Sequence, residues 1–155
     1  MLKVIRLCSI VAALPFLTSC GSSESSKTAS ETIDSNAVKE CYIAVDAADT
    51  AFLDLTKASN GDVTGNLLIK YAEKPQNKGT FAGKFSGDTL FVDYSFINGE
   101  AKTPIYKNPL AFLDSAGKLT LGVGVIETSM GRSYFVKDKS ISFERGKFVF
   151  EKCKD

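Results

Sequence analysis

The 155-residue chain has no histidine and no tryptophan, and only two methionines and four prolines. Without histidine, the Ser-His-Asp and Cys-His arrangements for nucleophilic catalysis are excluded. A dominant charge is missing too: 19 basic residues face 18 acidic ones, a formal net charge of +1. Binding to nucleic acid, which calls for a strongly basic surface, is therefore not expected. The apolar run at residues 7–17 is 11 residues long, too short for a bilayer-spanning helix, which needs roughly 20.

Glycine-rich motifs are also incomplete. LGVGVIE holds a G-x-G but lacks the third glycine of a dinucleotide fingerprint, and GTFAGK is too short between its glycines for a phosphate-binding loop. Both read as strand glycines. Asp46, Asp49 and Asp54 lie close together in sequence, yet the dense run of oxygen ligands around a central glycine that a calcium loop needs is absent. Solvated strand and turn aspartates are the simpler reading. No catalytic residue, metal or cofactor is expected, and the chain is not read as an enzyme.

What is present begins with an address. Lys3 and Arg6 precede the apolar run, and the run ends in small residues, the pattern of an export signal. It closes on Leu17-Thr18-Ser19-Cys20, which resembles the lipobox of bacterial lipoprotein precursors. The resemblance implies cleavage between Ser19 and Cys20, diacylglycerol on the Cys20 thiol and acylation of the new amino group. Such an anchor holds a protein stably on a bilayer, because each buried methylene contributes about 0.8 kcal/mol and one chain alone is marginal. Gly21 and Ser22 follow the cysteine, so the aspartate that retains lipoproteins at the inner membrane of enteric bacteria is missing. The expected location is the cell envelope, at the outer membrane.

This reading simplifies the cysteine count. Of the four cysteines, Cys8 leaves with the signal peptide (1–19) and Cys20 carries lipid. Cys41 and Cys153 remain, and in an exported protein two cysteines read as one disulfide. The alternatives are buried thiols or a metal site, and two cysteines without histidine are too few for structural zinc.

Residues 21–40 are rich in Ser, Thr and charge, a composition that cannot bury enough surface to offset its ordering. They are expected to form a tether, reaching on the order of 25 Å as a random coil, with a helix over 30–40 as the alternative. Residues 41–155 then form a single domain. Turn signals recur through it (Asn60-Gly61, Ser86-Gly87-Asp88, Asn98-Gly99, Ala116-Gly117), and the segments between alternate with period two. Val63, Leu67, Ile69 and Tyr71 share one face, as do Leu90, Val92, Tyr94 and Phe96, and Leu119, Leu121, Val123 and Val125.

The expected fold is all-β: an antiparallel meander of about eight or nine strands, over 41–46, 49–57, 63–73, 79–86, 89–97, 102–113, 118–128, 132–136 and 140–152. Closure into a small up-and-down barrel best removes the free edges, with a β-sandwich as the alternative. Glycines such as Gly79 and Gly83 favour curvature. In a closed barrel Cys41 and Cys153 become neighbours at the seam between first and last strands.

Lipocalin-like and avidin-like barrels are similar in strand count, but their tryptophan motifs have no counterpart here. Lysozyme-inhibitor lipoproteins are similar in lipobox and outer cysteines, and small uncharacterised outer-membrane lipoproteins in the lipobox. The expected function is a non-catalytic binding module, anchored to the bilayer through Cys20, for a small apolar ligand or an envelope protein. Tyr71, Phe85, Phe91 and Tyr94 are the candidates to line a lumen, although filling of the core is the commoner use of such residues. The alternative is an inhibitor of an envelope-directed hydrolase such as lysozyme, acting through the segment INGEAKTPIYKNP at 97–109.

Labelled palmitate is expected to enter the protein in a bacterial host and to be lost from Cys20→Ala. Incorporation that survives the substitution counts against the lipobox reading.

Overall fold

A computed structural model describes residues 34–154; Ser19, Cys20 and most of the tether lie outside the described residues. Ten strands follow one another: β1 (Val38–Asp46), β2 (Asp49–Lys57), β3 (Asp62–Lys70), β4 (Asn77–Ser86), β5 (Thr89–Asn98), β6 (Tyr106–Ser115), β7 (Lys118–Leu121), β8 (Ile126–Ser129), β9 (Arg132–Phe135) and β10 (Val149–Lys152). Eight of them close a barrel in the order β1-β10-β7-β6-β5-β4-β3-β2, and β8 pairs only with β9. Every pairing is antiparallel.

Alternation places the apolar set inside. Tyr42, Leu53, Leu67, Leu90, Phe112, Leu119 and Phe150 are at most 1% exposed, and Phe112 meets Phe150 edge-on at 5.8 Å between ring centres. Each such side chain, fully buried, contributes about 1.5–3 kcal/mol. Small inward positions let the strands coil around this core. A Cβ on Gly65 would stand 2.5 Å from the Phe81 ring, and one on Gly79 or Gly83 would strike the backbone of β5. Two hairpins carry consecutive positive φ values, Ala116-Gly117 (53°, 78°) and Met130-Gly131 (50°, 75°), the handedness that matches strand twist.

The seam is short. Tyr42 and Ile43 of β1 pair with Lys152 and Glu151 of β10, and the Cys153 N–H donates to the Cys41 carbonyl at 2.9 Å. The Cys41–Cys153 disulfide fastens the same two strands, Cα to Cα 5.4 Å.

Several boundaries differ from the sequence reading; β3 ends at Lys70 rather than at 73, and β4 starts at Asn77 rather than at 79. β1 starts at Val38, so residues 38–40 are strand and not tether or helix. β6 starts at Tyr106, not at 102. The expected strands 118–128 and 140–152 are each cut to four residues in the barrel. The cause is local packing: the rings and branches of Phe135, Ile141 and Phe143 occupy the space that side chains on Gly122 and Gly124 would need. The chain leaves the barrel there, Val123 and Val125 become 39% and 53% exposed, and the β8–β9 hairpin forms outside.

Replacing both Cys41 and Cys153 by Ser is expected to cost about 2–4 kcal/mol, the usual range for a disulfide, measured by urea unfolding. An unchanged midpoint under oxidising conditions would show that the short ladder closes the barrel without covalent help.

Candidate functional site

The four aromatic lumen candidates do not meet in one cavity. Tyr94 is 2% exposed and its hydroxyl donates to the Leu67 carbonyl at 2.8 Å; burial, with Tyr71 nearby, raises its pKa. Tyr71 is half-buried at the barrel end that holds the β1–β2 turn, and burial beside Asp49 raises its pKa as well. Phe85 lies at the opposite end, with the Lys57 ammonium 5.2 Å from its ring centre. Phe91 corrects the expectation: it points outward and is 40% exposed, because it is one residue out of phase with the inward set Leu90, Val92 and Tyr94. Side chains from all eight barrel strands fill the interior, so these aromatics are core or surface rather than lining.

Charged side chains close both ends. At the end where β1 starts, Glu40 continues the inward set of β1 and meets Lys57 at 2.8 Å and Lys152 at 2.7 Å. The Tyr42 hydroxyl donates to it at 3.1 Å. Burial alone would raise the Glu40 pKa, but the hydrogen bonds from Lys152, Lys57 and Tyr42 outweigh it and bring the group to about 2. At the other end Lys147 bridges Asp46 and Asp49, and Asp49 also accepts from the Ala72 N–H at 2.9 Å. Hydrogen bonding to Lys147 lowers the Asp49 pKa. The two carboxylates thus tie the returning chain to the first hairpin, a structural task.

The third aspartate of that sequence cluster faces elsewhere. Asp54 lies on the outer face, in a cavity of about 670 Å³ bordered by Phe52, Leu68, Ile97 and Ile105. A second cavity of about 620 Å³ shares Asp54, Asn66, Thr80 and Ser95 with the first, so the two form one trough. It continues through Asp93 and Ser95 towards Arg132 at the tip of the β8–β9 hairpin, where Arg132 stands 3.6 Å from Asp93.

The strand register orders the trough into rows. Asp54 pairs with Asn66, Asn66 with Thr80, and Thr80 with Ser95, so these four side chains form a polar line across β2–β5. On one side the register gives the mostly apolar row Phe52, Leu68, Lys78 and Ile97; on the other it gives Thr56, Thr64, Ala82 and Asp93. Sequence reasoning missed this site. Its signal was the short outward side chains on four successive strands, which is ordinary β-strand composition until register aligns them.

Comparison with protein-family models, with curated proteins and with solved structures finds no match.

Because the Glu40 pKa in the folded chain, about 2, lies below its ordinary value of 4.5, its ion pairs stabilise fully above that ordinary value and fade as pH falls towards the lower one. Glu40→Gln is expected to flatten the acid limb of stability between those two pH values, read from urea midpoints. An acid limb identical to that of the parent chain would remove Glu40 from the seam's energetics.

Proposed function

We propose that the protein is a lipid-anchored lipoprotein of the bacterial cell envelope, held at the outer membrane through Cys20, and acts as a non-catalytic binding module. Its ligand or envelope-protein partner sits in the outer trough across β2–β5, not in the barrel lumen. The observation that carries this reading is the contrast between the two faces of one sheet: the inner face is packed shut, whereas the outer face holds a cavity of about 670 Å³. Such a concave site with a few convergent polar groups is the usual form of a ligand pocket.

The address rests on Leu17-Thr18-Ser19-Cys20 and is supported by the Cys41–Cys153 disulfide, a bond that persists in oxidising compartments. The non-catalytic reading is supported by the acidic clusters, since Glu40, Asp46 and Asp49 are all engaged by lysines. Inhibition of an envelope-directed hydrolase is the second reading, favoured by the exposed start of β6, where Ile105 and Tyr106 are 61% and 45% exposed. A pull-down with c-type lysozyme that recovers nothing removes it.

The binding-module reading is tested in the full-length chain in its native envelope, with a photo-reactive residue at Thr80 or at Val149, which lies across the barrel on β10. Adducts are expected from Thr80 and not from Val149. No adduct, or equal labelling at both positions, overturns the trough as the binding face.

A further inference from the structure

We infer that the trough takes a neutral oligosaccharide, stacked on Phe52 and held at its hydroxyls by Asp54, Asn66, Thr80 and Ser95. The inference rests on the binding-module reading and names the ligand class. Its first support is what the floor does not offer. The backbones of β2 to β5 are engaged in ladders on both sides, so an extended peptide laid across them finds no free main-chain partner of the kind strand addition requires. Recognition has to come from side chains.

Those side chains have one chemistry in common. A carboxylate accepts, an amide both donates and accepts, and a hydroxyl does both. A row of them complements a ligand whose every hydroxyl is donor and acceptor at once. Among the described residues, Asp54, Asn66, Thr80 and Ser95 make no side-chain hydrogen bond or ion pair with one another or with neighbours. Their capacity is unspent.

The adjacent row supplies the other half of a sugar's surface. Phe52 is 38% exposed, and its ring face draws the Lys70 ammonium to 5.4 Å, as the negative face of an aromatic quadrupole does. A pyranose ring, with weakly positive C–H groups on one side, would stack on this face in place of the Lys70 ammonium. A wholly apolar ligand would leave the polar row unpaired, at a cost for each buried group.

Charge and length narrow the class. Asp54 and Asp93 face Lys78, Lys107 and Arg132 around the trough, a surplus of one positive charge that is too small to select a polyanion and that disfavours a polycation. The polar row crosses three inter-strand spacings, roughly 14 Å, which suits a short chain of sugars better than a single ring.

The test titrates the full-length protein in detergent with cellotetraose, maltotetraose and tetra-N-acetylchitotetraose by calorimetry. At least one is expected to bind, with affinity falling about tenfold or more in Asn66→Ala and in Phe52→Ala, as for loss of a hydrogen bond or a stacking face. Val149→Ala is expected to bind as the parent does, and circular dichroism checks that each variant folds. No binding of any of the three at millimolar concentration, or affinity unchanged in both trough variants, overturns the inference. If Thr80 adducts from the envelope then carry protein or lipid mass, the saccharide assignment alone falls; if no adduct forms, the binding-module reading falls with it.

Discussion

The structure depends on closure between its first and last strands. β10 has four residues and shares two register pairs with β1 and two with β7, a small contact on which to close an eight-stranded barrel. Three kinds of interaction reinforce it within a few residues: the Cys41–Cys153 disulfide, the Cys153 N–H to Cys41 carbonyl bond, and the Glu40–Lys152 ion pair. Because Glu40 also holds Lys57 of β2, the seam is tied to the strand beyond it. Opening there would expose two unpaired edges and the aromatic core together.

Closure also determines how the outside can be used. In an open sheet the cheapest recognition is through a free edge, where main-chain groups provide affinity without special side chains. Between β1 and β6 this barrel uses the ladders on both sides of β2, β3, β4 and β5, so what the surface offers there is side chains aligned by register. The glycines connect the two faces. Gly65 and Gly79 lack the Cβ that would hold neighbouring strands apart, and both border the outer trough. The positions at which the strands approach closely around the core are thus also positions that line the trough.

The residues that depart from the meander have a positional role. Gly122 and Gly124 give room to Phe135, Ile141 and Phe143, which takes the chain out of the barrel and places the β8–β9 hairpin beside β6. Arg132 at its tip then reaches Asp93 on β5 and ends the trough. Lys147, near the point of return, is fastened to Asp46 and Asp49, so the excursion is anchored before β10 begins.

By itself the sequence determined the all-β meander, most strand positions from β1 to β6, the inward faces headed by Leu67, Leu90 and Leu119, and the cysteines that meet at the seam. Those features are encoded locally, by period-two alternation and by glycine and asparagine at turns, or follow from closing the chain on itself. The tertiary structure decided what depends on phase and register between distant segments. Phe91 differs from its neighbours only by one position of alternation and so lies outside, and 118–128 reads as one strand until Ile141 and Phe143 pack against its glycines. Asp54, Asn66, Thr80 and Ser95 are scattered over 42 positions of sequence, and only the pairing of four strands brings them into one line.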